Sequence, residues 1–147
     1  MTELAGPRPI VLLPGDGEPL PFIGTLRASA AVTGGAMEVI EYTGPAAPPP
    51  HVHREHDEVF IILKGTFSFI LRETVINAPQ GAVVLVPHGW SHGFTMEPGS
   101  TALLLVIPAG LEGYFRELGI GLAEGKSGKE VRESLAGRYD SYPDPAD

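Results

Sequence analysis

The chain has no cysteine. Disulfides, thiolate zinc sites and iron–sulfur clusters are therefore excluded, and a transition metal would have to be held by imidazole or carboxylate. Basic residues are few: ten Lys and Arg against 18 Asp and Glu give a formal net charge of −8. The cations are scattered and form no basic stripe, which argues against nucleic acid or an acidic membrane as partner. Long apolar runs are missing too. The longest, residues 101–107, has the length of a strand rather than of a membrane span. The opening Met-Thr-Glu-Leu-Ala-Gly-Pro carries an acid and lacks the basic-then-apolar form of a secretory signal. Together with the missing cysteines, this points to a cytoplasmic location. No internal repeat is visible, and 147 residues suit one domain spanning 1–147 that buries a core without staples.

Turn-forming residues are abundant. Nineteen glycines and fifteen prolines fall between short apolar runs, the mark of many short strands joined by tight turns in a sandwich or barrel. Strands are expected at Ile10 to Leu13, Thr25 to Val32, Met37 to Thr43, Val59 to Leu63, Thr66 to Leu71, Ala82 to Val86, Ser91 to Met96 and Thr101 to Ile107. The nearly unbroken apolar run of the last implies burial on both faces. Residues 44–50, Gly-Pro-Ala-Ala-Pro-Pro-Pro, form a stiff extended segment, because each proline fixes its own φ and biases its predecessor. After Gly110 the period changes. Leu111, Phe115, Leu118 and Leu122 recur at helical spacing, so a short helix is expected over Glu112 to Leu118, with a weaker one over Lys129 to Ala136. The tail from Ser141 reads as frayed.

Chemistry concentrates at His51, His53, Glu58 and His92. His51 and His53 are two residues apart, so on a strand both leave the same face. The rigid proline segment delivers His51, Glu58 follows a polar turn, and His92 follows a Pro-x-Gly turn. Three imidazoles and a carboxylate suit one divalent ion among Fe, Mn, Ni, Cu, Co and Zn. Such ions take five or six ligands, which leaves positions open for water, dioxygen or substrate. At period two, Phe94 and Met96 share a face with His92 and are expected in a pocket wall, joined by Phe60 and by Trp90 at the rim. His56 and His88 lie in turns and are expected to point into solvent, with His56 as a partner that orients a ligand the functional alternative.

These residues also carry a resemblance to the cupin superfamily. Its first motif, G-x5-H-x-H-x3,4-E-x6-G, is similar to Gly44, His51, His53, Glu58 and Gly65, with six residues instead of five after Gly44. Its second, G-x5-P-x-G-x2-H-x3-N, is similar to Gly81, Pro87, Gly89 and His92, with Met96 in place of the asparagine. The segment from residue 110 to 119 resembles the helical tail of quercetin 2,3-dioxygenase-like members. The resemblance implies an all-β double-stranded β-helix, the cupin jelly-roll barrel, with the C-terminal helices outside. It implies His51, His53, Glu58 and His92 as metal ligands, with Glu58 also a candidate base. The implied activity is that of a metal-dependent dioxygenase using O2 on an apolar, aromatic or polyketide-like enol or phenol. The alternatives are a non-redox cyclase or isomerase and a non-catalytic small-molecule-binding protein. Small members of the family usually pair, so a homodimer is expected.

Overall fold

The computed structural model describes residues 8–144. Eleven strands and three helices follow one another as β1 (Glu18–Leu20), β2 (Gly24–Ala28), α1 (Ala30–Thr33), β3 (Glu38–Tyr42), β4 (His51–Val52), β5 (Asp57–Lys64), β6 (Thr66–Leu71), β7 (Thr74–Pro79), β8 (Val83–Val86), β9 (His92–Met96), β10 (Thr101–Ile107), α2 (Glu112–Ala123), α3 (Gly128–Leu135) and β11 (Tyr142–Pro143). They form two antiparallel sheets, one in the order β1-β2-β3-β10-β5-β8 and the other β11-β4-β9-β6-β7. β5 and β6 are consecutive but lie in different sheets, as do β9 and β10, so the chain wraps between the layers as a jelly roll does.

Alternation along the strands fills the space between the sheets. Phe60 and Ile62 on β5, Phe67 and Phe69 on β6, Phe94 on β9 and Leu104 and Val106 on β10 are buried. Four of the phenylalanines pack ring against ring, with centroids between Phe60 and Phe69 5.0 Å apart and between Phe67 and Phe94 5.5 Å apart. β10 buries only every second residue; Leu103 and Leu105 are half-buried on the outer face, so its apolar run covers one face fully and the other partly.

Several expected elements differ. Ile10 to Leu13 forms no strand: Val11 and Leu13 are exposed, and the segment is tied down by Arg27 donating to the Leu13 carbonyl at 3.1 Å. The strand expected to reach Val32 stops at Ala28, and the chain turns into α1, closed by Gly34 in the left-handed region. β7 was not signalled, because five of its six residues are exposed and its pattern lacks alternation. α2 runs on to Ala123 because Gly119 and Gly121 let it pack closely. A Cβ at Gly119 would meet the Pro21 carbonyl oxygen at 2.5 Å, and one at Gly121 would meet Val131 at 2.6 Å. Buried Glu38 on β3 accepts from the backbone N–H groups of Gly110, Leu111 and Glu112 at 2.7–3.0 Å, which satisfies the donors at the start of α2. The tail is ordered as well: Tyr142 pairs with Val52 and Pro143 with His51. Residues 145–147 of the expected frayed tail lie outside the described residues. No helix among the described residues is long and apolar enough to cross a membrane.

Candidate metal centre

Strand parity aims the site inward. Glu58 shares the inner face of β5 with Phe60 and Ile62, and His92 shares that of β9 with Phe94. β4 pairs with β9 so that His51 stands opposite His92, and their ring centroids lie 4.3 Å apart. His53 follows directly after β4. One sheet thus supplies His51 and His92, and the other supplies Glu58. The proline segment lies against β9, with Phe94 N–H donating to the Pro48 carbonyl at 3.2 Å. That approach requires Gly93, where a Cβ would come within 2.8 Å of Pro50 N and 2.9 Å of Pro49 C.

The donor atoms of His51, His53, Glu58 and His92 all lie within 4.8 Å of one another. Each imidazole is oriented by a backbone carbonyl acting on its Nδ1–H. His51 donates to Pro49 at 2.9 Å, His53 to Asp140 at 2.7 Å and His92 to Trp90 at 2.9 Å. A carbonyl can only accept, so in the neutral rings Nε2 carries the lone pair and faces the centre. Glu58 Oε1 lies 3.1 Å from His53 Nε2 and 2.8 Å from His92 Nε2. Such separations match adjacent ligands placed roughly 2.1 Å from one ion. Lone pairs and a carboxylate converging on one point form a set of acceptors that requires a cation, so these residues fit a divalent metal.

The electrostatics agree with this. Burial would raise the Glu58 carboxyl, but when a proton rather than a metal sits between these rings and Oε1, the His53 charge and the hydrogen bonds then donated by His53 and His92 hold it well below the usual range. For His53, burial works downward and is outweighed by the Glu58 charge and hydrogen bond, helped by the Asp140 carbonyl, so its value is raised. His51 is pushed down to about 3, by desolvation first and then by the neighbouring His92 and His53. It therefore stays neutral and ready to donate its lone pair.

Asp140 locks the ligand loop from outside. Its carboxylate accepts from Arg54 N–H and Glu55 N–H, both at 2.7 Å, and from His56 Nδ1 at 2.6 Å, while its own carbonyl orients His53. His56 is consequently turned inward, its side chain only 11% exposed, which corrects the expectation of a solvent-facing ring. Gly110 makes room for it: a Cβ there would sit 2.4 Å from His56 Nε2. His88 does point outward, beside Asp57 at 2.7 Å.

A cavity of about 20 Å³ adjoins the cluster. His51, His53 and Glu58 line it together with Tyr42, Phe60, Phe94, Leu104, Phe115 and Leu118. Phe60 and Phe94 are therefore wall residues of this cavity. Met96 and Trp90 are not. Met96 lies four residues along β9 from His92, and its sulfur packs against Gly44. Trp90 stands outside on the rim with the Arg72 guanidinium 3.5 Å above its ring. A larger groove of about 580 Å³ lies beyond His51, between the proline segment, β11 and α3. His51, Tyr114 and Arg132 line both spaces.

The profile of the cupin domain family matches residues 38–108. The solved structures agree with the topology. A protein from Planctomyces limnophilus is 21% identical, with 71% of this chain and 91% of that chain covered at a TM-score of 0.58. Streptomyces Pac13, a nucleoside dehydratase, is 13% identical, with 69% and 84% covered at a TM-score of 0.57. The fold is the cupin jelly roll. KdgF from Halomonas sp. is 23% identical over 57% of this chain and 77% of that one, at a TM-score of 0.49. No curated protein sequence matches the chain significantly. The cupin match contains all four clustered residues, whereas Tyr114, Arg132 and Asp140 lie beyond it. Those three were missed in the sequence. Tyr114 falls within the apolar stripe between Leu111 and Phe115 and reads as core, and a charge on a short amphipathic helix such as Arg132 reads as solvated.

Proposed function

We propose that this cupin is a metal-dependent enzyme of the quercetin 2,3-dioxygenase-like kind, acting with O2 on a small enol or phenol. The convergence of three Nε2 lone pairs and the Glu58 carboxylate beside an apolar wall carries this reading. His51, His53, Glu58 and His92 would hold one ion of Fe, Mn, Ni, Cu, Co or Zn. Any of these supplies a Lewis-acidic centre for a substrate oxygen, and all but zinc would also be redox-capable towards O2. Glu58 is a weak proton acceptor while a cation, metal or imidazolium, holds it, so its role as base requires it to turn away from the cluster. Phe60, Phe94, Leu104 and Leu118 exclude water and raise the cost of an unpaired substrate charge.

The test is metal analysis of protein purified without chelators, with His51→Ala as control, followed by oxygen uptake with flavonols and polyketide enols. Near one ion per chain, lost in the variant, supports the reading. No metal in either preparation overturns it.

A non-redox cyclase, isomerase or dehydratase is the second reading. It is favoured by the Tyr114 hydroxyl, which is accompanied by Ser141 and Arg132 at the junction of cavity and groove and supplies a proton-transfer group that needs no oxidant. Pac13 places a dehydratase on the same fold. Turnover under anaerobic conditions with zinc alone distinguishes this reading from the first.

A further inference from the structure

Arg132 is out of keeping with its surroundings. It projects from α3 into a junction whose inner wall is built from Tyr42, Phe60, Phe94 and Leu104. Its Nε is buried and has no hydrogen-bond partner among the described residues. No carboxylate lies within salt-bridge distance of its guanidinium among the described residues, although Arg116 and Arg138 each have one. Leaving that buried Nε–H unpaired is costly, and the cost is recovered when an anion arrives. The guanidinium bonds the Tyr114 hydroxyl, which is itself able to donate to an anion.

Position strengthens the point. Among the described residues, only His51, Tyr114 and Arg132 line both the cavity and the groove, so a molecule seated in the groove with one end at the cluster must pass Arg132. Lys129 also lines the groove, but it is exposed and faces Glu133 at 4.0 Å. The chain as a whole carries −8 and repels anions, so a fixed local cation decides whether an anion can dwell there.

We propose that Arg132 is the substrate's anion subsite, and that the substrate is an aromatic or enolic acid bearing a carboxylate next to the hydroxyl that meets the cluster. The planar guanidinium suits a carboxylate in two-point contact. The inference rests on the metal-centre reading for the position of the hydroxyl, but not for the carboxylate contact.

Calorimetric titration with salicylate and with its neutral isostere salicylamide tests it, using wild-type, Arg132→Met, Arg132→Lys and His51→Ala proteins. Metal content and thermal midpoint are recorded for each. Wild type is expected to bind salicylate at least about tenfold tighter than salicylamide. Arg132→Met should abolish that preference with metal content unchanged, and Arg132→Lys should restore part of it. In His51→Ala, binding of both weakens but the preference for salicylate persists. Equal binding of the two probes by wild type, no binding of either, or a preference that survives in Arg132→Met overturns the proposal. Loss of metal dependence with an intact Arg132-dependent preference overturns the metal reading alone.

Discussion

Glu58 holds the centre together through a single oxygen, since Oε1 serves both His53 and His92. Glu58→Gln keeps the shape and removes the charge. Both imidazoles then face an amide instead of a carboxylate, and the proposed base is gone. Metal affinity is expected to fall at least about tenfold and turnover about a hundredfold or more. Equilibrium dialysis and steady-state rates measure the two, and a variant with full metal and full turnover removes Glu58 from both roles. All four clustered residues were legible in the sequence, because period two on strands and the two spaced motifs specify which side chains face inward. Met96 shows where parity stops. It shares the face of His92 but is displaced along β9 to the Gly44 end, and alternation says nothing about depth. His56 misled for another reason: the carboxylate that draws it inward, Asp140, is 84 residues away.

At the scale of elements, two segments outside the main strands hold the ligands in place. The proline run rests on Gly93, and Gly93→Ala would drive a methyl into backbone atoms at 2.8–2.9 Å that belong to fixed-φ prolines. His51 should shift, lowering metal affinity by about tenfold with a smaller loss of thermal stability. Unchanged affinity in a folded variant would show that the proline run does not position the ligand. The returning segment around β11 is the second clamp. Asp140→Ala leaves Arg54 N–H, Glu55 N–H and His56 without their acceptor, and a ten- to hundredfold loss of metal affinity is expected, about the range for groups that orient metal ligands. Metal titration at fixed pH measures it, and rescue by Asp140→Asn should be partial, since an amide has one accepting oxygen instead of two. The core strands were readable from their alternation. β7 and β11 were not: the first faces solvent along most of its length, and the second is a two-residue strand defined only by its partner β4.

For the whole molecule, acid acts through opposing groups. His51 and Glu58 have folded values below their ordinary 6.5 and 4.5. Their contribution to stability is present above those values and is lost as pH falls, from about 6.5 downward for His51 and below about 4.5 for Glu58. His53 is raised, so its contribution is present below about 6.5 and is lost as pH rises through its folded value. Metal competes with the proton on His53. Occupancy should therefore begin to fall at a pH above that of a free imidazole, about 6.5, and loading at neutral pH should release protons. Dialysis across pH 8 to 4.5 checks this, and a metal content unchanged at about pH 4.5 would count against a three-histidine centre. Binding to the native state alone also raises the thermal midpoint. At metal concentrations a hundred times Kd the gain is about 2.7 kcal/mol, or roughly 5–10 °C for a chain of this size, as scanning calorimetry would show.

Trp90, the single tryptophan of the chain, lies off the cavity, yet its carbonyl accepts the Nδ1–H of His92 and its indole lies beneath the Arg72 guanidinium. The fluorophore is thus one hydrogen bond away from the proposed coordination sphere, with no second indole to dilute its signal. Emission excited near the red edge of protein absorbance should report occupancy directly, without label or substrate. Paramagnetic ions should quench it and zinc should only shift it, so one cuvette can follow loading, exchange and acid release in real time.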